Sequence, residues 1–210
     1  VGFAGSYTNG DADFTRGSAE MDAWSLSAYG LWYGDNGMFA DVIARVAKAE
    51  TDVTADGAAK KGTLENYAYS LSGEFGWRFN LSEQFYVEPQ SELTWTYIDE
   101  DDLHLGTASY TFDSMNSFMG RVGFATGMKC PNSDVYLRVS AVHEFAGDRK
   151  ITGANGATLE EDGKDTWVEY GIGANFNLTP NTYFWADVER TEGATLDEDW
   201  RATIGVRHAF

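Results

Sequence analysis

The sequence predicts an all-β fold, an antiparallel transmembrane β-barrel of the outer-membrane type, on three observations. Apolar and polar residues alternate with a period of two along most of the 210 residues. The alternating stretches are separated by short and long connections in turn. No stretch approaches the ~18 consecutive apolar residues that a transmembrane helix needs. The mean hydropathy of -0.37 is compatible with a barrel, because only every second residue of a membrane strand contacts lipid.

The clearest alternation runs through residues 66–80. One set of alternate residues is apolar and mainly aromatic, whereas the other set is polar or small. A stretch of this length exceeds most strands of soluble proteins and is long enough to cross a bilayer at a tilt. The apolar set comprises Tyr67, Tyr69, Leu71, Gly73, Phe75, Trp77 and Phe79.

The same pattern predicts ten strands joined by connections of two kinds. The gaps after the second, fourth, sixth and eighth strands are short and contain the Gly, Asn, Asp and Pro residues of tight turns. The other gaps are mostly long and polar, which predicts loops. Pro89 lies inside a strand, where it cannot donate to a ladder, and predicts a bulge or weak pairing. The predicted strands are residues 1–8, 23–33, 38–49, 65–80, 84–97, 115–129, 134–146, 166–178, 182–191 and 200–210.

This sorting of connections distinguishes the two candidate folds. Outer-membrane barrels have short periplasmic turns and longer extracellular loops. A soluble β-sandwich, the alternative, would not sort its connections in this way. The barrel interpretation places the C-terminus on the periplasmic side of a bacterial outer membrane.

The last predicted strand has one apolar face and ends on Phe210. The residues at every second position back from Phe210 are almost all apolar, while the other set contains Arg201 and Arg207. Such a strand suits the closing strand of a barrel, with lipid on one side and a wet lumen on the other.

If each apolar set faces lipid, charged residues of both signs face the lumen. A basic side chain facing lipid at mid-depth would cost about 2–4 kcal/mol, so these groups must contact water and each other. They could fill a hydrated interior, or they could line a conduit for an extended polypeptide; the sequence leaves both interpretations open. The predicted lumen-facing residues are Asp41, Arg45, Glu74, Arg78, Glu88, Gln90, Glu92, Arg121, Arg138, Glu144, Glu169, Asn175, Asp187, Glu189, Arg201 and Arg207.

The formal net charge of -18 argues against nucleic-acid binding, which needs a basic surface. Acidic residues concentrate in the predicted loops, where they could bind divalent cations beside lipopolysaccharide phosphates. No loop contains a defined cation-binding motif. The acidic positions are Asp11, Asp13, Glu160, Glu161, Asp162, Asp165, Asp197, Glu198 and Asp199.

An enzyme is the main alternative class. His104 lies beside an acidic run at residues 99–102 on a predicted loop, and ten-stranded outer-membrane proteases use loop-borne His and Asp residues to activate water. A solvated acidic loop is the simpler interpretation. The chain contains no Gly-x-Ser-x-Gly, His-Glu-x-x-His or paired-cysteine pattern. We therefore predict no catalytic residues, no metal site and no cofactor, and we retain a passive porin or adhesin barrel as a further alternative.

Three stretches together resemble the C-terminal translocator domain of type V autotransporters: residues 86–95, 119–124 and 200–210. The Glu-Pro-Gln strand followed by a Gly-Arg-Val-Gly strand carries most of the resemblance, which spans essentially the whole chain. It implies an outer-membrane translocator that inserts through the barrel-assembly machinery and assists secretion of its own N-terminal passenger. The implied partners are that machinery, the passenger, and outer-membrane lipid with lipopolysaccharide.

The terminal strand resembles the signal that the barrel-assembly machinery reads. A polar residue is followed two positions later by glycine and then by hydrophobic residues up to the end. His208 occupies a position where Tyr or Phe is usual, although its ring is also planar. The residues assigned to this signal are Thr203, Gly205, Val206, His208 and Phe210.

The resemblance also predicts how much of the barrel lies in residues 1–210. Barrels of this family have twelve strands, preceded by a helix that threads the pore. The first predicted strand, residues 1–8, matches the third strand of the family pattern. We therefore expect ten strands of twelve here, without the first two strands and without the pore helix.

Overall fold

The computed structural model describes residues 1–55, 60–179, 181–195 and 198–208, and in these residues all regular structure is β-strand. No helix in the described ranges is long and apolar enough to cross a membrane. The predicted all-β antiparallel class is confirmed. The strands are β1 (Gly2–Phe14), β2 (Gly17–Tyr33), β3 (Met38–Ala55), β4 (Lys60–Trp77), β5 (Phe79–Asn80), β6 (Phe85–Ile98), β7 (Asp101–Leu105), β8 (Ala108–Phe112), β9 (Met115–Cys130), β10 (Ser133–Glu144), β11 (Arg149–Gly153), β12 (Thr158–Glu161), β13 (Asp165–Thr179), β14 (Thr182–Glu192) and β15 (Arg201–His208).

The main sheet follows chain order, β1-β2-β3-β4-β6-β9-β10-β13-β14-β15, with the short β5 also paired to β6. All its neighbours are antiparallel. Within the described residues β1 and β15 each have one partner strand, so they form the two edges. The sheet is curled, because Arg207 of β15 interacts electrostatically with Tyr29 and Tyr33 of β2 although these strands lie near opposite edges.

The curl gives the sheet a concave and a convex face. Cross-strand partners share a face, so one chain of partners, Asp41, Glu74, Glu92 and Arg121, identifies the same face on β3, β4, β6 and β9. Residues of this set are less exposed than their neighbours along each strand, as expected for the concave side. The convex side carries the exposed apolar set.

Three of the predicted short turns are confirmed, at residues 34–37, 81–84 and 131–132. Gly37 closes the first of them with a φ of 87°, a conformation that favours glycine. The fourth predicted turn contains Pro180, which lies outside the described residues.

The long connections predicted at the other end are wrong, because most of those residues form strands. β1 and β2 continue to a two-residue turn, Thr15-Arg16, and β3 and β4 extend to Ala55 and from Lys60. The predicted loop at 98–114 contains the β7–β8 hairpin, and that at 147–165 contains β11–β12. Apolar and polar residues still alternate in the extended segments of β1 to β4, but the apolar residues move to the opposite face of the sheet. The predicted strands ended too early because the prediction required the apolar residues to stay on one face.

The two hairpins pair with each other in a four-stranded sheet of order β12-β11-β8-β7. Hydrogen bonds to backbone groups of β4 hold this small sheet against the main sheet. The carboxylates of Asp99 and Asp101 accept hydrogen bonds from the N–H groups of Tyr67 and Glu65, each at 2.6 Å. The acidic run beside His104 thus anchors a hairpin.

The strand predicted at 65–80 is interrupted at Arg78. β4 ends at Trp77, and the Arg78 N–H donates instead to the Gly37 carbonyl at 2.8 Å. The pairing of β6 with β4 stops at Gln90, and its pairing with β5 begins at Val87. On the other side of β6, the pairing with β9 continues through Pro89. The pairing break predicted at the proline therefore occurs on one side of β6, without a register shift.

Five aromatic side chains on the concave face lie over glycines of the adjacent strand. Each pair consists of direct cross-strand partners near the short-turn end. A Cβ atom added at any of these glycines would collide with the ring, so the glycines are required for packing. The pairs are Tyr29 over Gly2, Phe39 over Gly76, Tyr86 over Gly127, Tyr136 over Gly173 and Trp185 over Gly205.

We predict that Gly205→Ala destabilises the fold, because its methyl group would overlap the Trp185 ring. The cost of such overpacking is about 1–3 kcal/mol. It should appear as a lower urea midpoint of the protein refolded in detergent micelles. Gly10→Ala is the matched control, since the nearest atom to its Cβ is the Met21 methyl at 3.9 Å. Equal midpoints for the two variants would contradict the packing account.

Candidate functional site

The residues predicted to face the lumen lie together on the concave face of the main sheet. Most of the arginines among them form ion pairs with carboxylates of other strands, and these pairs fall into three clusters. The clusters cover β4 to β15, which is more than half of the concave wall.

The first cluster centres on Arg121 of β9. Its guanidinium pairs with Glu92 of β6 and lies 3.6 Å from Glu74 of β4. Asp41 of β3 is the cross-strand partner of Glu74 and adds a third carboxylate to this row. One arginine thus compensates a group of acidic side chains on three strands.

The second cluster lies nearer the short-turn end. Arg78 pairs with Glu88, which is only 6% exposed, and its Nη1 lies 3.9 Å from Asp134. The Arg78 guanidinium also stacks over the Tyr86 ring at 4.1 Å, and the Tyr86 hydroxyl donates to Asp134 at 3.3 Å. The cluster surrounds a polar cavity of about 220 Å³ that Gln90 and Arg138 also line. 

In the third cluster Glu189 of β14 binds two arginines. One is Arg138 of β10, and the other is Arg201 of β15 at 3.4 Å. Arg201 also lies 3.8 Å from Glu198, which precedes β15. These pairs connect the last strand of the sheet to its interior neighbours.

Two concave-face arginines have a different environment. Arg45 donates to the Ser27 hydroxyl at 3.1 Å, and Arg207 lies over the Tyr183 ring at 5.9 Å. Within the described residues neither forms an ion pair. Around Arg45 the wall formed by β1 to β4 carries small side chains, including Ala4, Ser6, Ala23, Ser25, Ala47, Ala49, Ala68 and Ser70. The concave wall is therefore asymmetric, with bulky paired charges on one side and small residues on the other.

Tyr86 and Asp134 belong to the charged clusters but were not among the predicted lumen-facing residues. Both have the same parity as predicted concave residues of their own strands, Glu88 on β6 and Arg138 on β10. The alternation of side chains along each strand would therefore have placed both residues on the concave face.

A further feature is a reversal of polarity along β1 to β4. Tyr7, Trp24, Lys48 and Tyr67 are consecutive cross-strand partners on the convex face, and we call them the reversal row. On the short-turn side of this row the convex face is apolar. Beyond it the convex face is mainly acidic, with Asp11, Asp13, Glu20, Asp22, Glu50, Asp52 and Glu65.

The concave face changes in the opposite sense at the same level. Its polar lumen residues give way beyond the reversal row to Ala12, Phe14, Ala19, Met21, Val53 and Leu64. The strands continue for about 23 Å from Lys48 to Ala55, at ~3.3 Å per residue. An acidic convex face cannot lie in hydrocarbon, so the reversal row marks one boundary of the lipid-facing band.

A sequence model of the Autotransporter beta-domain family matches residues 1–189. The chain belongs to the autotransporter β-domain family. Membership places it in the bacterial outer membrane, and it agrees with the resemblance seen in the strand motifs.

Individual autotransporters are similar over the full length of this chain. It is 24% identical to the autotransporter adhesin/invasin TibA of Escherichia coli O78:H11 and covers 22% of that protein. It is 26% identical to the pertactin autotransporter of Bordetella parapertussis and covers 24% of it. The chain thus spans about a quarter of the length of these relatives.

Solved autotransporter domains share the fold. The β domain of the Bordetella autotransporter BrkA superposes with a TM-score of 0.77 at 16% identity, covering 99% of this chain and 90% of that one. The transport unit of AIDA-I from Escherichia coli gives 0.79 at 18% identity, with 99% and 74% covered.

The acidic positions of this autotransporter domain are dispersed over several strands and connections. Asp11 and Asp13 lie on β1, Glu160 and Glu161 lie on β12, and Asp197 is outside the described residues. In the described part of the chain, no group of three or more His, Cys, Asp or Glu residues could hold a metal ion. 

Asp162 and His104 were both predicted to lie in loops. The Lys164 N–H, which donates at 3.0 Å, and the Lys164 charge together lower the pKa of the exposed Asp162 carboxyl. His104 lies on β7, not in a loop, and is exposed.

Four of the five residues assigned to the assembly signal, Thr203, Gly205, Val206 and His208, lie on β15, the edge strand. Gly205 lies on the concave face under Trp185, whereas Val206 and His208 belong to the convex set. His208 Nδ1 and the Thr182 hydroxyl share a hydrogen bond of 2.7 Å. Phe210 lies outside the described residues.

We predict that Arg121→Met destabilises the domain more than any other single change of a paired lumen arginine. The substitution leaves three neighbouring carboxylates without their nearest cation, and breaking a partly buried pair of this kind costs up to about 3–5 kcal/mol. Urea unfolding of the protein in micelles measures the loss. Arg45→Met is the matched control, because Arg45 has no ion pair in the described part of the chain. A control loss as large as that of Arg121→Met would contradict the role assigned to the cluster.

Proposed function

We propose that this chain is the translocator domain of a longer autotransporter, and that it assists export of the polypeptide N-terminal to it. The observation that carries the proposal is a family β-domain that spans about a quarter of its relatives' length. The remaining length of such a protein would be the passenger. We further propose that the barrel-assembly machinery inserts the domain, because its terminal strand carries the residues of the assembly signal.

The orientation follows from the two ends of the sheet. The short turns would lie in the periplasm with the C-terminus, and the end beyond the reversal row would project outside the cell. The acidic convex surface of the projecting part supports this arrangement, because that surface has to contact water. Lipopolysaccharide would surround the barrel at the level of the reversal row.

A conduit suits the lumen better than a filled interior. The wall of small residues on β1 to β4 leaves space along one side, whereas the ion-paired clusters hold β4 to β15 together on the other. A polypeptide passing through would run along the small-residue wall and contact Arg45. 

The edges of β1 and β15 support a barrel of more than ten strands. Unpaired backbone groups of an edge strand cannot face hydrocarbon, since each unsatisfied group costs several kcal/mol. We propose that two further strands pair with these edges, and that a pore helix precedes them, as the resemblance implies.

Export can be tested directly in cells. A reporter is fused upstream of the domain, with the two additional strands and pore helix supplied from the same gene, and surface labelling with a membrane-impermeant reagent is measured. We predict labelled reporter in intact cells and none when residues 200–210 are deleted. An assembled barrel that leaves the reporter in the periplasm would contradict the proposal.

The same cells test the protease alternative. His104→Ala should leave export and the protein content of the outer membrane unchanged, because the acidic residues beside His104 bind backbone N–H groups of β4. Loss of a proteolytic activity in this variant would instead favour an enzyme.

We predict that Phe210→Ala slows assembly in cells without weakening the folded domain. The aromatic end group is read during insertion, so the variant should accumulate as a heat-insensitive, unfolded band on gels. Refolding in micelles, which does not use the machinery, should give the wild-type urea midpoint. Ala209→Ser is the neighbouring control. Normal assembly of the Phe210 variant would contradict the role assigned to the terminal residue.

A further inference from the structure

An apolar patch covers the concave face beyond the reversal row, where the wall stands clear of the membrane. Phe14, Met21, Val53 and Leu64 come from four neighbouring strands and occupy adjacent rows of the sheet. Phe14 is 49% exposed, and Met21 and Val53 are half-buried. Exposed apolar patches on proteins mark contact surfaces.

The four-stranded sheet supplies a second apolar wall opposite this patch. Leu103 of β7 is only 5% exposed and lies over Gly62, whose added Cβ would be 2.8 Å from the leucine Cδ1. Gly62 shares the concave side of β4 with Leu64, so the face of the small sheet that carries Leu103 is turned towards the patch. Tyr110, Phe112, Ile151 and Leu159 lie on that same face by register.

The small sheet contacts the main sheet where Leu103 lies over Gly62, two residues from Leu64 on the same face of β4. On this face of the small sheet the exposed fraction is 5% at Leu103, 37% at Tyr110 and 66% at Leu159, while Phe112 and Ile151 are half-buried. The space between the two walls, which we call the mouth cleft, is bounded on one side by the contact of β7 with β4. Its lining is apolar on both walls.

Three possible occupants differ in their access to the cleft. Lipid reaches the convex side, which is acidic at this level, so the cleft is screened from the membrane. A second copy of the chain presents its own acidic convex surface and would repel an acidic neighbour. A polypeptide leaving the lumen runs along the concave wall of β1 to β4, which continues without a break into the cleft.

We propose that the mouth cleft binds an apolar segment of the exported polypeptide as it leaves the lumen, which rests on the proposed export function. Burying apolar side chains of the segment against Met21, Val53 and Tyr110 removes both surfaces from water. The segment is thereby held at the exit while the following residues are exported and begin to fold. The acidic convex surface keeps the projecting wall soluble around this apolar interior.

Site-specific crosslinking tests the contact in cells that make the full-length protein. A photoreactive phenylalanine analogue is placed at Met21 or Val53, and at Glu20 or Asp52 as controls on the convex side of the same strands. The proposal predicts a crosslinked product of barrel and exported segment at positions 21 and 53 and none at 20 and 52. Equal crosslinking at all four positions, or none at 21 and 53 while the passenger reaches the surface, would overturn it. Failure of the unmodified protein to export any passenger would overturn the export function and the cleft together.

A second measurement addresses the consequence for passenger folding. Met21→Ser and Val53→Thr reduce the apolar area of the cleft while keeping residues that a strand tolerates. The passenger should still reach the surface, but added protease should degrade it several-fold faster. Glu20→Gln and Asp52→Asn, the convex-side controls, should leave its resistance unchanged. Unchanged resistance in both apolar variants would overturn the proposal.

Discussion

The structure depends on one constraint: each strand of the main sheet has lipid on one face and water on the other. Because successive side chains of a strand point to opposite faces, a period of two gives lipid an apolar surface and the lumen a polar one. Backbone groups in the lipid-facing band must also be paired, and in the described residues the antiparallel ladder achieves this apart from the break beside Pro89 and the edges of β1 and β15. The charged clusters follow from the same constraint, because arginines and carboxylates that cannot face lipid meet each other in the lumen.

The reversal row shows that the constraint changes along the strand. Below Trp24 and Lys48 the convex side contacts lipid, and beyond them it contacts water, so the acidic residues move to that side. The concave side then becomes apolar, and the small β7–β8 and β11–β12 sheet closes over part of it. A single antiparallel sheet thus forms a membrane wall at one end and half of an apolar cleft at the other.

Most of the long strands and of the charged clusters could be predicted from the sequence. Alternation identified all ten long strands, and parity assigned Glu74, Glu92 and Arg121 to one side, because in the lipid-facing band the two faces differ strongly in polarity. The ends of β1 to β4 could not be predicted by the same criterion, since residues such as Asp11 and Glu50 exchange sides without breaking the period. The pairing between the two hairpins depends on contacts distant in sequence. The association of Tyr136 with Gly173 was likewise invisible, because it requires the register between β10 and β13.

The most direct test of this account is an accessibility scan of β3. Spin labels are attached to single cysteines at positions 40–54 of the domain in lipid vesicles, in a Cys130→Ser background, and collisions with oxygen and with a water-soluble nickel complex are measured. Even positions up to Val46 should be oxygen-accessible, and even positions from Lys48 onwards should be nickel-accessible, with the period of two maintained throughout. Oxygen accessibility that continues with the same alternation to position 54, or the absence of a period of two, would contradict the account.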